Sequence, residues 1–212
     1  MARAAVAAWL IALIVRPAPS VATVAEQRAR LPPAAECDDP IAGTWRGLSY
    51  YPNHRQWYEF TLEIARDAAR PGELRGRILA HFWDGPADRS EAPACARGLQ
   101  QLTIRQDARG TYDDGKVWFG GIRWEVDSIQ CGHYEGRYIT DQFKGVIDRD
   151  RQEFQSINDW SERPDDEATV FRRIRCHDEK PAPAVTPPSP APSPGPITPP
   201  PAQPPSSSGG GC

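Results

Sequence analysis

The chain has 212 residues, 25 of them Lys or Arg and 28 Asp or Glu, for a formal net charge of -3. Its basic residues, such as Arg75, Arg77 and Arg172, are interspersed with acids, so no basic block marks a nucleic-acid or anionic-membrane surface. One end is apolar and the other proline-rich, which leaves about 140 residues for a single core.

Residues 1–25 have the features of a secretory leader. Arg3 supplies a positive start, Ala4–Val15 is an apolar run, and cleavage is expected after Ala22 or Ala25. The run has twelve residues, too few for a bilayer-spanning helix, which needs about 20. No second run follows, so no membrane span is expected in the mature chain. Losing Arg3 and Arg16 with the leader leaves 23 basic against 28 acidic residues, a net charge of -5. Residues 26–36 are expected as a short linker, 37–177 as the folded domain and 178–212 as a disordered tail.

Within the domain, short alternating segments are separated by turn residues. The clearest is Trp57–Ala65, where Tyr58, Phe60, Leu62 and Ile64 alternate with Trp57, Glu59, Thr61 and Glu63. Pro71-Gly72 and Asp113-Asp114-Gly115 mark turns, and Trp118, Ile122, Trp124 and Val126 fall on one face of the segment that follows the second. Eight strands are predicted: Ile41–Tyr50, Gln56–Ala65, Glu73–Trp83, Leu99–Ala108, Lys116–Val126, Gln142–Asp148, Glu153–Asp159 and Ala168–Arg175. Residues 133–140 are predicted as a loop. Gly47, Gly76 and Gly145 each sit inside a strand, useful where a small barrel must coil or backbones approach closely.

The cysteines favour one closure. In an eight-stranded up-and-down barrel the first strand begins, and the last finishes, at the same end. Cys37 and Cys176 flank those strands, while Cys95 and Cys131 lie in two connections at the opposite end. The natural pairs are Cys37–Cys176 and Cys95–Cys131, although four cysteines allow three connectivities. The longer loop would contribute about 5 kcal/mol and the shorter about 4 kcal/mol on the chain-entropy account. Disulfides imply an oxidising compartment, hence a secreted, periplasmic or outer-surface protein.

Gly43-Thr44-Trp45 at the start of the meander resembles the calycin superfamily, the lipocalins and avidins. The resemblance implies an all-β fold, an eight-stranded antiparallel up-and-down barrel. It also implies that Trp45 closes the base beneath a basic residue of the last strand, Arg172 or Arg173. That contact is worth about 0.5–2 kcal/mol. No ligand-binding residue is carried over. After His177, Pro181–Pro205 holds 13 prolines, an extended spacer. The end Gly209-Gly210-Gly211-Cys212 resembles the MYXO-CTERM class of bacterial sorting signals, making Cys212 the expected attachment point.

No catalytic constellation is read. His54, His81, His133 and His177 have no metal spacing, so no metal or cofactor is expected, and the acidic pairs sit in turns. The aromatics remain. Tyr58, Phe60, Trp118 and Trp124 are the expected inward, ligand-facing set, and Trp57 and Trp83 the expected surface aromatics. The first expectation is a non-catalytic module binding a small, partly apolar molecule in the barrel mouth. Its alternative is a carbohydrate- or protein-interaction module using the surface aromatics against a cell-surface component. A small hydrolase using Asp84 or Asp159 ranks last.

Overall fold

The alternation read along the chain becomes eight strands in the computed structural model, which describes residues 23–156 and 168–177. They are β1 (Gly43–Tyr51), β2 (Gln56–Asp67), β3 (Arg70–Asp84), β4 (Gln101–Asp113), β5 (Lys116–Cys131), β6 (Gln142–Val146), β7 (Glu153–Ser156) and β8 (Thr169–Arg175). The expected leader through residue 22, residues 157–159 of the seventh expected strand, and the tail with Cys212 lie outside the described residues. Each strand pairs antiparallel with its neighbours in the order β6-β5-β4-β3-β2-β1-β8-β7. The two edges, β6 and β7, follow each other in sequence and meet at a seam. Asp148 and Glu153 exchange backbone hydrogen bonds of 2.7 and 3.1 Å, and Ser156 Oγ accepts from Lys144 N at 2.8 Å. Gly145 permits that approach, since a Cβ there would lie 2.5 Å from the Gln155 carbonyl oxygen. The result is an all-β, nearly closed up-and-down barrel.

Local chemistry accounts for the hairpins. Asp114 (φ 44°) and Gly115 (φ 74°) form the two-residue loop between the paired Asp113 and Lys116, a geometry that Asp-Gly favours. The turn expected at Pro71-Gly72 is displaced. The chain reverses at Ala68-Ala69, where Asp67 Oδ1 accepts from Ala69 N at 2.9 Å. Pro71 and Gly72 lie in the irregular start of β3, where the register jumps between Arg66 and Asp67 and proline's missing N–H costs no ladder bond.

The largest departure is on β5. Val117 and Phe119 point inward and are buried. Gly121 then pairs with Ala108 and Arg123 with Asp107, leaving Ile122 as the extra residue of a bulge. One extra residue reverses which face each following side chain takes. Trp118, between the inward Val117 and Phe119, points outward, 40% exposed, whereas Trp124, beyond the bulge, packs against the core. Ile122 and Val126 are also exposed, so the single inner face expected for these four residues does not exist.

The end of the barrel where β1 begins and β8 finishes is solid. Trp45, Phe60, Phe143, Phe154 and Phe171 are all at 2% exposure or below. Ring centroids lie 5.3 Å apart for Trp45–Phe154, 4.9 Å for Phe154–Phe171 and 4.7 Å for Phe143–Phe171. Each such side chain contributes about 1.5–3 kcal/mol on burial. Of the two candidate arginines, Arg173 covers the tryptophan, its guanidinium 4.9 Å from the Trp45 ring centroid. Fully buried, it donates to the carbonyls of Asp39 (2.5 Å) and Ala42 (2.9 Å) and to Gln152 Oε1 (2.9 Å). Arg172 faces outward and binds Glu153 at 2.6 Å. Both disulfides form as the barrel geometry predicts, with Cα separations of 5.6 Å for Cys37–Cys176 and 5.4 Å for Cys95–Cys131.

The expected linker is not a free segment. Val24–Arg30 forms a short helix, α1, started by a capping box between Thr23 and Glu26. Its Gln27 is buried and bridges to β8, donating to the Ala168 carbonyl at 2.9 Å and accepting from Val170 N at 2.8 Å. Arg28 bonds Glu153 at 2.7 Å, so Glu153 joins α1, β7 and β8. No helix among the described residues is long and apolar enough to cross a membrane.

Candidate functional site

The opposite end of the barrel is hollow. The connections at residues 52–55, 85–100 and 132–141 rim a cavity of about 230 Å³. Its inner wall comes from β2 and β3, where Tyr58 and Phe82 are register partners and stack with centroids 5.1 Å apart. Tyr51, at the end of β1, meets Tyr58 edge-on at 4.9 Å. The outer wall is Tyr134 and Tyr138 of the β5–β6 connection, 6.3 and 6.5 Å from Phe82. Trp124 backs both tyrosines from β5, at 6.5 and 6.1 Å.

A buried carboxylate lies among these rings. Asp141, 2% exposed, accepts at Oδ2 from Gln106 Nε2 (2.6 Å) and from the Tyr138 hydroxyl (2.7 Å). Gln106 Oε1 in turn accepts from Asp141 N at 2.9 Å, and the Asp141 carbonyl accepts from Gly121 N at 2.9 Å. Gly121 makes room for the network, because a Cβ there would lie 2.2 Å from Gln106 Oε1. Buried polar groups held this way fix the geometry around them. The tyrosines register the site in their acidity. Burial first, and the Asp141 charge second, push the Tyr58 and Tyr138 hydroxyls well above the ordinary phenol value. Burial also raises Tyr134.

The expected ligand-facing set divides. Tyr58 lines the cavity, and Phe60 stacks beneath it at 5.7 Å as part of the solid core. Trp124 stands outside the cavity and lines a separate cleft of about 460 Å³ behind residues 137–140. Trp118 is on the outer surface. The expected surface aromatics are buried, Trp57 at 1% and Trp83 at 2% exposure. Together with Leu48 and Tyr50 they form a second apolar cluster on the barrel's outside. The start of the β3–β4 connection seals it, Trp57 Nε1 donating to the Pro86 carbonyl at 3.0 Å, and Arg30 of α1 lies 5.1 Å from the Trp57 ring centroid.

The residues that sequence reasoning missed, Phe82, Tyr134, Tyr138, Gln106 and Asp141, come from two strands and a loop. The spacing Tyr134, Tyr138, Asp141 in a segment without regular structure was the available signal. Of the two carboxylates considered for hydrolysis, Asp159 lies outside the described residues and Asp84 has a structural partner set. Asp84 accepts from Gln56 Nε2 (3.0 Å) and Gln100 N (2.9 Å), which ties two rim connections together. His81 is on the outer face, at 3.2 Å from Gln101 Nε2, and burial lowers its pKa against the raising effect of Glu59. Among the described residues no group of three or more His, Cys, Asp or Glu is placed to hold a metal ion. Compared with protein-family models, with curated proteins and with solved structures, the chain matches none.

Proposed function

We propose that this chain is an exported, non-catalytic binding module of calycin-like architecture that takes a small molecule in its barrel mouth. The observation that carries the reading is the contrast within one barrel. A base filled by Trp45, Phe154 and Phe171 lies below an aromatic-walled cavity of about 230 Å³. Concave, mostly apolar sites with a few fixed polar groups are the usual form of small-molecule sites. Gly43-Thr44-Trp45 with Arg173 over the indole supports the calycin likeness. Two disulfides point to an oxidising environment, and the leader-like sequence of residues 1–25 supports export as the route to it.

The test is a ligand-observed magnetic-resonance screen of the full chain against a library of neutral, cationic and anionic small molecules. Binders should be lost on Tyr58→Ala and kept on Trp118→Ser. A screen without binders overturns the reading, and so do binders that Tyr58→Ala leaves untouched.

A second reading has its own observation. Trp118, Ile122, Val126 and Ile129 are exposed apolar side chains of β5, whose ladder with β6 ends at Gly120. This strand, not Trp57 and Trp83, is where a protein-interaction module would bind. Binders lost only on Trp118→Ser would favour it.

A further inference from the structure

The outer face of the barrel breaks its own charge pattern in one place. Outward side chains on neighbouring strands form rows across the sheet, fixed by the register. One row runs Glu63, Arg77, Asp107 and Arg123 from β2 to β5, alternating in sign. Its members pair off, Glu63 with Arg77 at 2.6 Å and Asp107 with Arg123. The next row towards the base runs Ala65, Arg75, Arg109 and Gly120. Here two like charges are direct register partners about 5 Å apart, an arrangement that costs stability. Both arginines are exposed. Among the described residues neither guanidinium has a hydrogen-bonding or ion-pair partner. The carboxylates that lie diagonal to them are held by other arginines, Glu63 by Arg77, Asp107 by Arg123 and Glu73 by Arg70 at 2.9 Å. The Arg75 charge is felt at Asp67 only at longer range, behind that of Arg70.

Trp118 completes this row. It is one step nearer the β4–β5 hairpin, yet its indole leans over Gly120, where a Cβ would lie 3.3 Å from Trp118 Cζ2. The ring therefore covers the place opposite Arg109 that the glycine leaves open, and it is 40% exposed. We propose that Arg75, Arg109 and Trp118 form a binding surface for an acidic polysaccharide. One uronic-acid ring rests on the indole, and carboxylates of its neighbours meet Arg109 and Arg75. This surface is additional to the mouth and does not depend on the mouth's binding reading.

The chemistry favours this partner over the alternatives. A guanidinium is a planar fork that matches a carboxylate. An indole offers a flat apolar face with a polar edge, which suits a sugar ring, apolar on its face and polar at its rim. The three groups come from adjacent strands spaced by about 4.8 Å, so a chain crossing the strands meets them in turn. A single exposed charge contact is worth little, which disfavours a small free anion. A polymer presents several carboxylates at once and gains by their linkage. A nucleic acid or an anionic membrane calls for a denser basic patch than two arginines on a chain of net charge -3. A protein partner calls for a broader apolar centre. Val126 and Ile129 do not extend the Trp118 face, because their register partners Ile104 and Leu102 point into the barrel. Lys144, opposite Trp118, is engaged elsewhere.

The experiment is calorimetric titration of the full chain with polygalacturonate, with its methyl ester, which keeps the rings and removes the charge, and with polyglutamate as an acidic peptide. Polygalacturonate should bind, and esterification should weaken it by about tenfold or more. Arg75→Gln, Arg109→Gln and Trp118→Ser should each cut the affinity by about fivefold or more. Arg151→Gln removes the same charge from the β6–β7 connection and should leave the affinity within about twofold. The proposal is overturned if polygalacturonate does not bind or if its ester binds as tightly. Polyglutamate binding as tightly also overturns it, and marks the row as a surface for acidic peptides. So does an Arg151→Gln loss equal to that of Arg109→Gln, in variants with wild-type circular dichroism. None of these results bears on the mouth, which the library screen tests through Tyr58→Ala.

Discussion

The two ends of this barrel are built from similar residues and differ in how those residues are closed. At the base, Phe154 meets Trp45 edge-on at 5.3 Å and stacks on Phe171 at 4.9 Å, and Arg173 seals the cluster with backbone acceptors from the segment that enters β1. At the mouth, Tyr58 and Phe82 stack at 5.1 Å and Tyr138 lies 6.5 Å from Phe82, and all three line a cavity of about 230 Å³ beside the carboxylate that the Tyr138 hydroxyl bonds. Both ends carry a disulfide, but Cys37–Cys176 closes a sequence separation of 139 residues and Cys95–Cys131 one of 36. The difference teaches that aromatic content alone does not mark a site. What marks one is rings without a filling partner, next to a buried polar group that the fold has spent glycine and loop residues to hold.

If the base carries stability and the mouth carries binding, variants should separate the two. The largest effect is expected for Cys37→Ser with Cys176→Ser, a loss of about 5 kcal/mol in denaturant unfolding of the domain. The shorter pair should cost about 4 kcal/mol. Next comes Arg173→Met, which leaves Gln152 and the carbonyls of Asp39 and Ala42 without their buried donor, at about 3 kcal/mol in the same assay. Either base change should leave ligand affinity of the folded fraction unaltered. A smaller stability loss is expected for Tyr58→Ala, about 1–2 kcal/mol, because the ring is only partly buried, while mouth binding disappears. An affinity loss with Arg173→Met comparable to that of Tyr58→Ala would erase the division.

The pH dependence is smaller still. Burial pushes the Asp39 carboxyl up, but Ala42 N, the Arg66 guanidinium and Ile41 N together hold it below the ordinary carboxyl value. A carboxyl with a depressed folded pKa stabilises fully above its unfolded value, about 3.9, and loses that contribution as the pH falls through the folded value. Asp39 is partly exposed, so the screened effect is under about 1 kcal/mol, seen as a sharper stability loss below about pH 4 that Asp39→Asn removes. At the low end of the series, Trp118→Ser on the exposed outer face should change stability by no more than about 0.5 kcal/mol.

Much of this architecture was legible in the residues. Period-two alternation located all eight strands, and the position of each cysteine relative to strand ends gave both disulfides. The calycin resemblance, carried by the opening Gly-x-Trp, pointed to Trp45 and to one of the pair Arg172 and Arg173, without choosing between them. The site was legible only at Tyr58. Strict alternation failed on β5 because the bulge at Ile122 puts Trp118 before it and Trp124 after it on opposite faces, and the doublet Gly120-Gly121 just before it was the unread warning. Trp57 and Trp83 looked external because they are on the outer face. No pattern announced that residues 85–87 and Arg30 would fold over them. The Gln106–Asp141 pair spans 35 residues and two elements, which period counting along one strand cannot join.

The division between ends is tested most directly by magnetic resonance of the isotope-labelled full chain titrated with benzylamine and then with benzyl alcohol. The account predicts shifts at the amides of Tyr58, Tyr134, Tyr138 and Asp141 and at the Trp124 indole, with Trp45, Phe154 and Phe171 unmoved for whichever probe binds. Shifts centred on Trp45 and Phe171, or on Trp118 and Ile122 with a silent mouth, would contradict it.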